Sequence, residues 1–196
     1  MSKTLLENCL KIISVWEGNT LYAHGNGAVG LIGFQFSWRE QLNAMMGLPA
    51  QASDEMFNAA VDRHKGKALE YQTELGVKVL REIYDFSCTP RGLTEFISVL
   101  NVLDIGVNNG RQNSFLTTAE NDLGWPGKAM VQDEQAFSVK VAEVRITAIS
   151  HPFEKYPGLA VRYRWYLHRC QKWDIQAEWP YVNIEPKQKK VRMVKQ

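Results

Sequence analysis

The chain has 196 residues, of which 45% are hydrophobic and 22% charged, a balance that suits one packed domain, alone or with a tail, and excludes a disordered chain. The net charge of +2 excludes a protein that is basic throughout. Charge is uneven, however: from Tyr156 onward nine Lys and Arg stand against three acids, so that end carries +6 and the remainder −4, which suits an anionic partner such as nucleic acid, a membrane surface or a cell-wall polymer.

Leu5, Cys9, Ile12, Ile13 and Trp16 recur at helical spacing, which predicts a helix over Lys3–Trp16 with Gly18 as its stop. Residues 18–34 hold five glycines among aromatic and β-branched residues and read as a loop or short hairpin. A short helix follows from Ser37 to Met46, closed by Gly47 and Pro49, and Ser53 is the expected N-cap of another. Lys67 to Phe86 reads as a long helix, and Thr89-Pro90 as the opening of the next, since proline is tolerated at a first helical position. That helix places Leu93, Phe96, Ile97, Leu100, Leu103 and Val107 on one face and ends at Asn108-Asn109-Gly110. A loop around Gly124–Gly127, a helix over Val131–Ser150 and a last helix marked by Leu159, Tyr163, Tyr166, Leu167 and Cys170 complete the domain. From about Trp173 the helical period fades into an extended basic tail. The expected organisation is a mainly α domain over residues 1–172, with a tail over 173–196.

Cys9, Cys88 and Cys170 lie far apart, in odd number and without metal spacing, so they read as buried free thiols. His24, His64, His151 and His168 show no metal spacing and no fixed relation to a nucleophile, so no metal site is expected. Phosphate-loop and dinucleotide fingerprints are absent. No apolar run reaches the roughly 18 residues of a membrane span. The N-terminal segment lacks the cleavage site of a signal peptide, so synthesis in the cytoplasm and export by other machinery are expected.

Two carboxylates stand out. Glu17 ends an apolar helix beside Trp16, where the helix dipole and an adjacent indole both favour the neutral acid that a proton donor must be. The alternative is a solvated residue at a helix end. The glycines behind it suit an open wall for a sugar polymer or serve ordinary turns, and Gln35 offers an amide to such a ligand. Asp104 falls on or beside the apolar face of its helix, and a buried aspartate needs a partner, either backbone or an arginine such as Arg145. The amide-rich run Asn108-Asn109-Gly110-Arg111-Gln112-Asn113 is a helix cap, a ligand wall or both. Trp125, Trp165, Trp173 and Trp179 belong to the core or stack on sugar rings.

Ser14-Val15-Trp16-Glu17-Gly18, followed by Gly30-Leu31-Ile32-Gly33-Phe34-Gln35, resembles the lysozyme-like superfamily, in particular its chitosanase-like branch and related phage-type peptidoglycan hydrolases. Leu103-Asp104-Ile105-Gly106-Val107-Asn108-Asn109-Gly110, Glu143–Ile149 and Arg162–Trp165 are similar to later helices of such enzymes. The resemblance implies an α+β lysozyme-like fold, a helical domain with a small glycine-rich β-hairpin or loop lobe near the N-terminus. It implies a muramidase-type glycosidase acting on β-1,4-linked glycan strands of peptidoglycan, with no bound cofactor. Glu17 would be the general acid, and Tyr22, Asn26, Gln35, Asn108 and Asn109 would bind substrate. Many relatives carry an aspartate in the glycine-rich segment where this chain has Asn26. Glycosidases use two carboxylates, about 5–5.5 Å apart when retaining and about 6.5–9.5 Å when inverting. The second here is Asp104, Glu120 or Asp122, or it is absent. Absence fits a lytic transglycosylase, or a glycan-binding module of a phage or secretion assembly.

Overall fold

The computed structural model describes residues 2–110, 114–125, 130–148, 157–173, 184–185 and 190–191. The chain is mainly helical, as its sequence predicts, and it resolves into two compact units. The first takes Met1–Leu80, with C-terminal residues assigned to it; the second takes Arg81–Trp179. Among the described residues no helix is long and apolar enough to cross a membrane.

In the first unit α1 spans Lys3–Trp16, with Ser2 accepting from the Leu5 amide as N-cap. Its buried face includes Leu6, Cys9, Leu10, Ile12, Ile13 and Trp16. Next come α2 (Phe36–Met45), α3 (Asp54–Arg63, N-capped by Ser53) and α4 (Lys65–Ile83). A β-carbon on Gly76 would lie 2.8 Å from the Leu10 side chain, so α4 lies close against α1 and a larger residue there would displace Leu10. Between α1 and α2, residues 18–35 form no strand. They fold back twice through isolated antiparallel bridges, Ala23 to Val29 and Val29 to Phe34. The hairpin expected there does not lengthen into a sheet because Gly18, Gly25, Gly27, Gly30 and Gly33 all take positive φ, which interrupts extended backbone. The loop is nonetheless packed: Ala28, Val29, Leu31, Ile32 and Phe34 are buried.

The second unit begins where α4 tightens into a π-helical turn, Tyr84–Cys88, and a 3-10 turn, Thr89–Arg91. Pro90 therefore belongs to a turn and does not open the next helix. Gly92 follows at φ +66, and α5 starts only at Phe96. Every residue from Phe96 to Gly106 is buried, so α5 (Phe96–Asn109) is the central helix of this unit. It packs against α7 (Glu134–Thr147) and α8 (Pro157–Lys172). Glu134 of α7 accepts from the Thr94 and Glu95 amides, both at 2.8 Å, and so caps the α5 N-terminus from another element. The helix α6 (Phe115–Asp122) was not expected from the sequence. Beyond Trp173 the described residues are two short antiparallel strands, β1 (Ile184–Glu185) and β2 (Lys190–Val191). The rest of the basic tail, including Lys187, Lys189, Arg192 and Trp179, lies outside the described residues, as do Arg111-Gln112-Asn113, Gly127, Ile149-Ser150 and His151.

Candidate functional site

The site of the first unit is built on how α1 ends. Gly18 takes φ +100 and donates to the Val15 carbonyl at 3.2 Å, while Asn19 donates to the Ser14 carbonyl at 2.7 Å. These paired bonds form a Schellman motif, which a glycine just past the helix end makes inexpensive. Glu17 is thereby fixed as the C-cap, its amide bonded to Ile13 and its side chain half-buried. The glycine loop then returns against it. A β-carbon on Gly33 would sit 3.6 Å from Glu17 Oε2 and 4.0 Å from His24 Cε1. Backbone without a side chain therefore lies beside the carboxylate, and the His24 ring borders the same point. His24 Nε2 lies 2.9 Å from the Gly30 carbonyl, so this nitrogen carries the proton and donates it.

The loop owes its shape to side chains from α3 and α4. Gln72, fully buried, accepts from the Leu31 amide at 3.0 Å and donates to the Leu21 carbonyl at 2.9 Å. Asn58 accepts from the Ala23 amide at 2.9 Å. A β-carbon on Gly30 would come within 2.6 Å of Gln72 Oε1, so the clasp requires glycine there. No local motif marks Gln72 in the sequence. Its signal was a polar residue in line with the buried positions Ala68, Leu75, Val79 and Ile83 of α4.

Tyr22, Asn26 and Gln35 all belong to this loop. The Tyr22 hydroxyl donates to Asp62 at 2.8 Å, and that bond is the main reason its pKa is raised. Asn26 accepts from the Ala28 amide at 3.1 Å, and Gln35 is the N-cap residue of α2 without a side-chain capping bond.

Asp104, Asn108 and Asn109 belong to the second unit, in α5. Asp104 has no accessible surface. Arg145 donates to its Oδ2 at 2.6 Å, and Arg162 donates to its Oδ1 at 2.5 Å through Nη2 and to both oxygens at 3.1 Å through Nε. Burial alone would raise the Asp104 pKa, but the Arg162 and Arg145 charges and their hydrogen bonds outweigh it and hold the carboxyl below its usual range. Arg145 also stacks over Tyr163, 3.9 Å from the ring centroid. Asn108 joins the cluster, donating to the Asp104 carbonyl at 3.2 Å and accepting from Arg162 at 3.3 Å. Asn109 ends α5 on the surface. Of the two roles left open for Asp104, the buried, arginine-paired one describes its surroundings. A carboxylate enclosed in this way has no face for water or a sugar.

The other candidate partners differ. Glu120 is buried and held by Arg91 at 2.6 Å, whereas Asp122 ends α6 in solvent. Among the described residues no three His, Cys, Asp or Glu side chains group as a metal site. Compared with known proteins, the chain matches no family model, no curated protein and no solved structure.

Proposed function

We propose that the chain is a lysozyme-type glycosidase that cleaves β-1,4-linked glycan strands of peptidoglycan, with Glu17 as the general acid. The observation that carries this is the half-buried Glu17 carboxylate at a helix C-cap, faced by the bare backbone of Gly33. A sugar chain brought to Glu17 meets the Gly33 backbone and the His24 ring there, and the buried Gln72 clasp keeps the loop in place. Glu17 gives its proton to the leaving glycosidic oxygen as the bond from that oxygen to the anomeric carbon breaks. An oxocarbenium-like centre results. In the hydrolytic form, water adds to that carbon and loses a proton. The α+β lysozyme-like architecture belongs to the same proposal, with the loop over 18–35 as its reduced β lobe. So do Tyr22, Asn26 and Gln35 as sugar contacts, and the cell wall as the place of action.

One observation favours a second form of the reaction. Residues 18–35 contain no Asp or Glu, so the loop beside Glu17 offers no carboxylate base to activate water. A hydroxyl of the substrate can then attack the anomeric carbon itself, as in a lytic transglycosylase.

Digestion of purified sacculi, with mass spectrometry of the released fragments, tests both forms. Reducing ends are expected from water attack and anhydro ends from internal attack. Binding to sacculi without released fragments would replace the enzyme with a glycan-binding module.

A further inference from the structure

Phe36, at the start of α2, has no structural reason to be phenylalanine. Its φ is +50, a left-handed conformation that a bulky residue holds only under constraint, and its side chain is 85% exposed. Neither backbone preference nor burial in the core accounts for a phenyl ring there. Strain of this kind at an exposed aromatic points to a ligand.

The ring borders a groove of about 530 Å³ whose walls include Asn26, Gln35, Arg39, Glu40 and Gln51. Arg39 makes that wall rigid. It donates to the Gly27 carbonyl at 2.9 Å and the Ala52 carbonyl at 2.8 Å, and pairs with Asp54 at 2.8 Å. Gln51 donates to Glu40 at 2.9 Å. The side-chain amide of Gln35 and the Nδ2 of Asn26 donate to no group among the described residues, which leaves them for a ligand.

We infer that Phe36 is a stacking platform for one pyranose ring of an amino-sugar glycan, with the Gln35 and Asn26 amides binding that sugar's hydroxyl or acetamide groups. This rests on the proposed glycosidase. A β-linked pyranose has a face of C–H bonds and a polar rim. The electron-rich face of a phenyl ring matches the first, and amides beside it match the second. Phe36 is three residues from Gly33, within about 11 Å of backbone, and Gly33 lies against Glu17.

The test measures binding of a β-1,4-linked N-acetylglucosamine hexamer in the Glu17→Gln background, and turnover of sacculi with Glu17 intact. Phe36→Ala should weaken hexamer binding about tenfold, near 1.4 kcal/mol, and raise KM with little change in kcat. Phe36→Trp should restore affinity. Phe36→Gly should lose affinity yet melt at a higher temperature, because glycine relaxes the left-handed backbone. Unchanged hexamer binding in Phe36→Ala, with Glu17-dependent cleavage of sacculi intact, would overturn the platform and leave the enzyme standing. A chain that neither binds the hexamer nor cleaves sacculi would overturn both. Dissociation of a dimer by Phe36→Ala, with binding unchanged, would assign the ring to self-association instead.

Discussion

Glu17 and Asp104 are both carboxylates at uncommon places on apolar helices, and their surroundings are opposite. Glu17 is half-buried at the end of α1, beside the backbone of Gly33. Asp104 lies mid-helix with no accessible surface and with both oxygens taken by Arg145 and Arg162. Aspartate in the second setting is kept ionised and immobile. Glutamate in the first lies partly in reach of solvent, next to glycine backbone. The contrast teaches that two carboxylates equally unusual in sequence can differ wholly in burial, which only the tertiary structure reveals.

The contrast breaks most visibly at Asp104. Asp104→Ala leaves two buried guanidinium groups without their counter-charge, which should cost about 3–5 kcal/mol and lower Tm by roughly 10 °C in thermal denaturation. An Asp104 variant that melts like wild type and loses only turnover would reverse the two assignments. Gln72→Ala should cost about 2–3 kcal/mol in urea unfolding, because the Leu31 amide and Leu21 carbonyl lose their buried partner. It should also reduce activity more than the stability loss explains, since the loop beside Glu17 is released.

The acid limb sharpens the same comparison. The folded pKa of Asp104 is depressed, so its contribution is complete above the unfolded value of about 3.9 and is lost as pH falls through the folded value. Wild-type Tm should therefore fall on acidification below about pH 4, and Asp104→Asn should flatten that decline. The smallest effect belongs to Tyr22→Phe. It removes an exposed bond to Asp62, and its urea midpoint should match wild type in the same assay.

Much of the scaffold was legible in the sequence. Helical periodicity marks α1 and the central α5, Ser53 marks the start of α3, and the place of Asp104 on an apolar face calls for a partner, backbone or an arginine such as Arg145. What the sequence concealed came from long-range packing. Arg162 reaches Asp104 across 58 residues, and no local pattern pairs them. Pro90 carries a helix-start signal, but Gly92 in the left-handed region ends the turn and delays α5 to Phe96. Helix α6 has only eight residues, too few for a clear apolar period. The glycine loop was recognised by composition, yet its clasp by Gln72 and the exposure of Phe36 depend on tertiary placement.

The most direct test of the account is turnover of purified sacculi by Glu17→Gln, with Tm recorded on the same sample. The account predicts a loss of at least about 100-fold with the fold retained, the size expected when a general acid is removed. Turnover equal to wild type in a folded Glu17→Gln protein would contradict it.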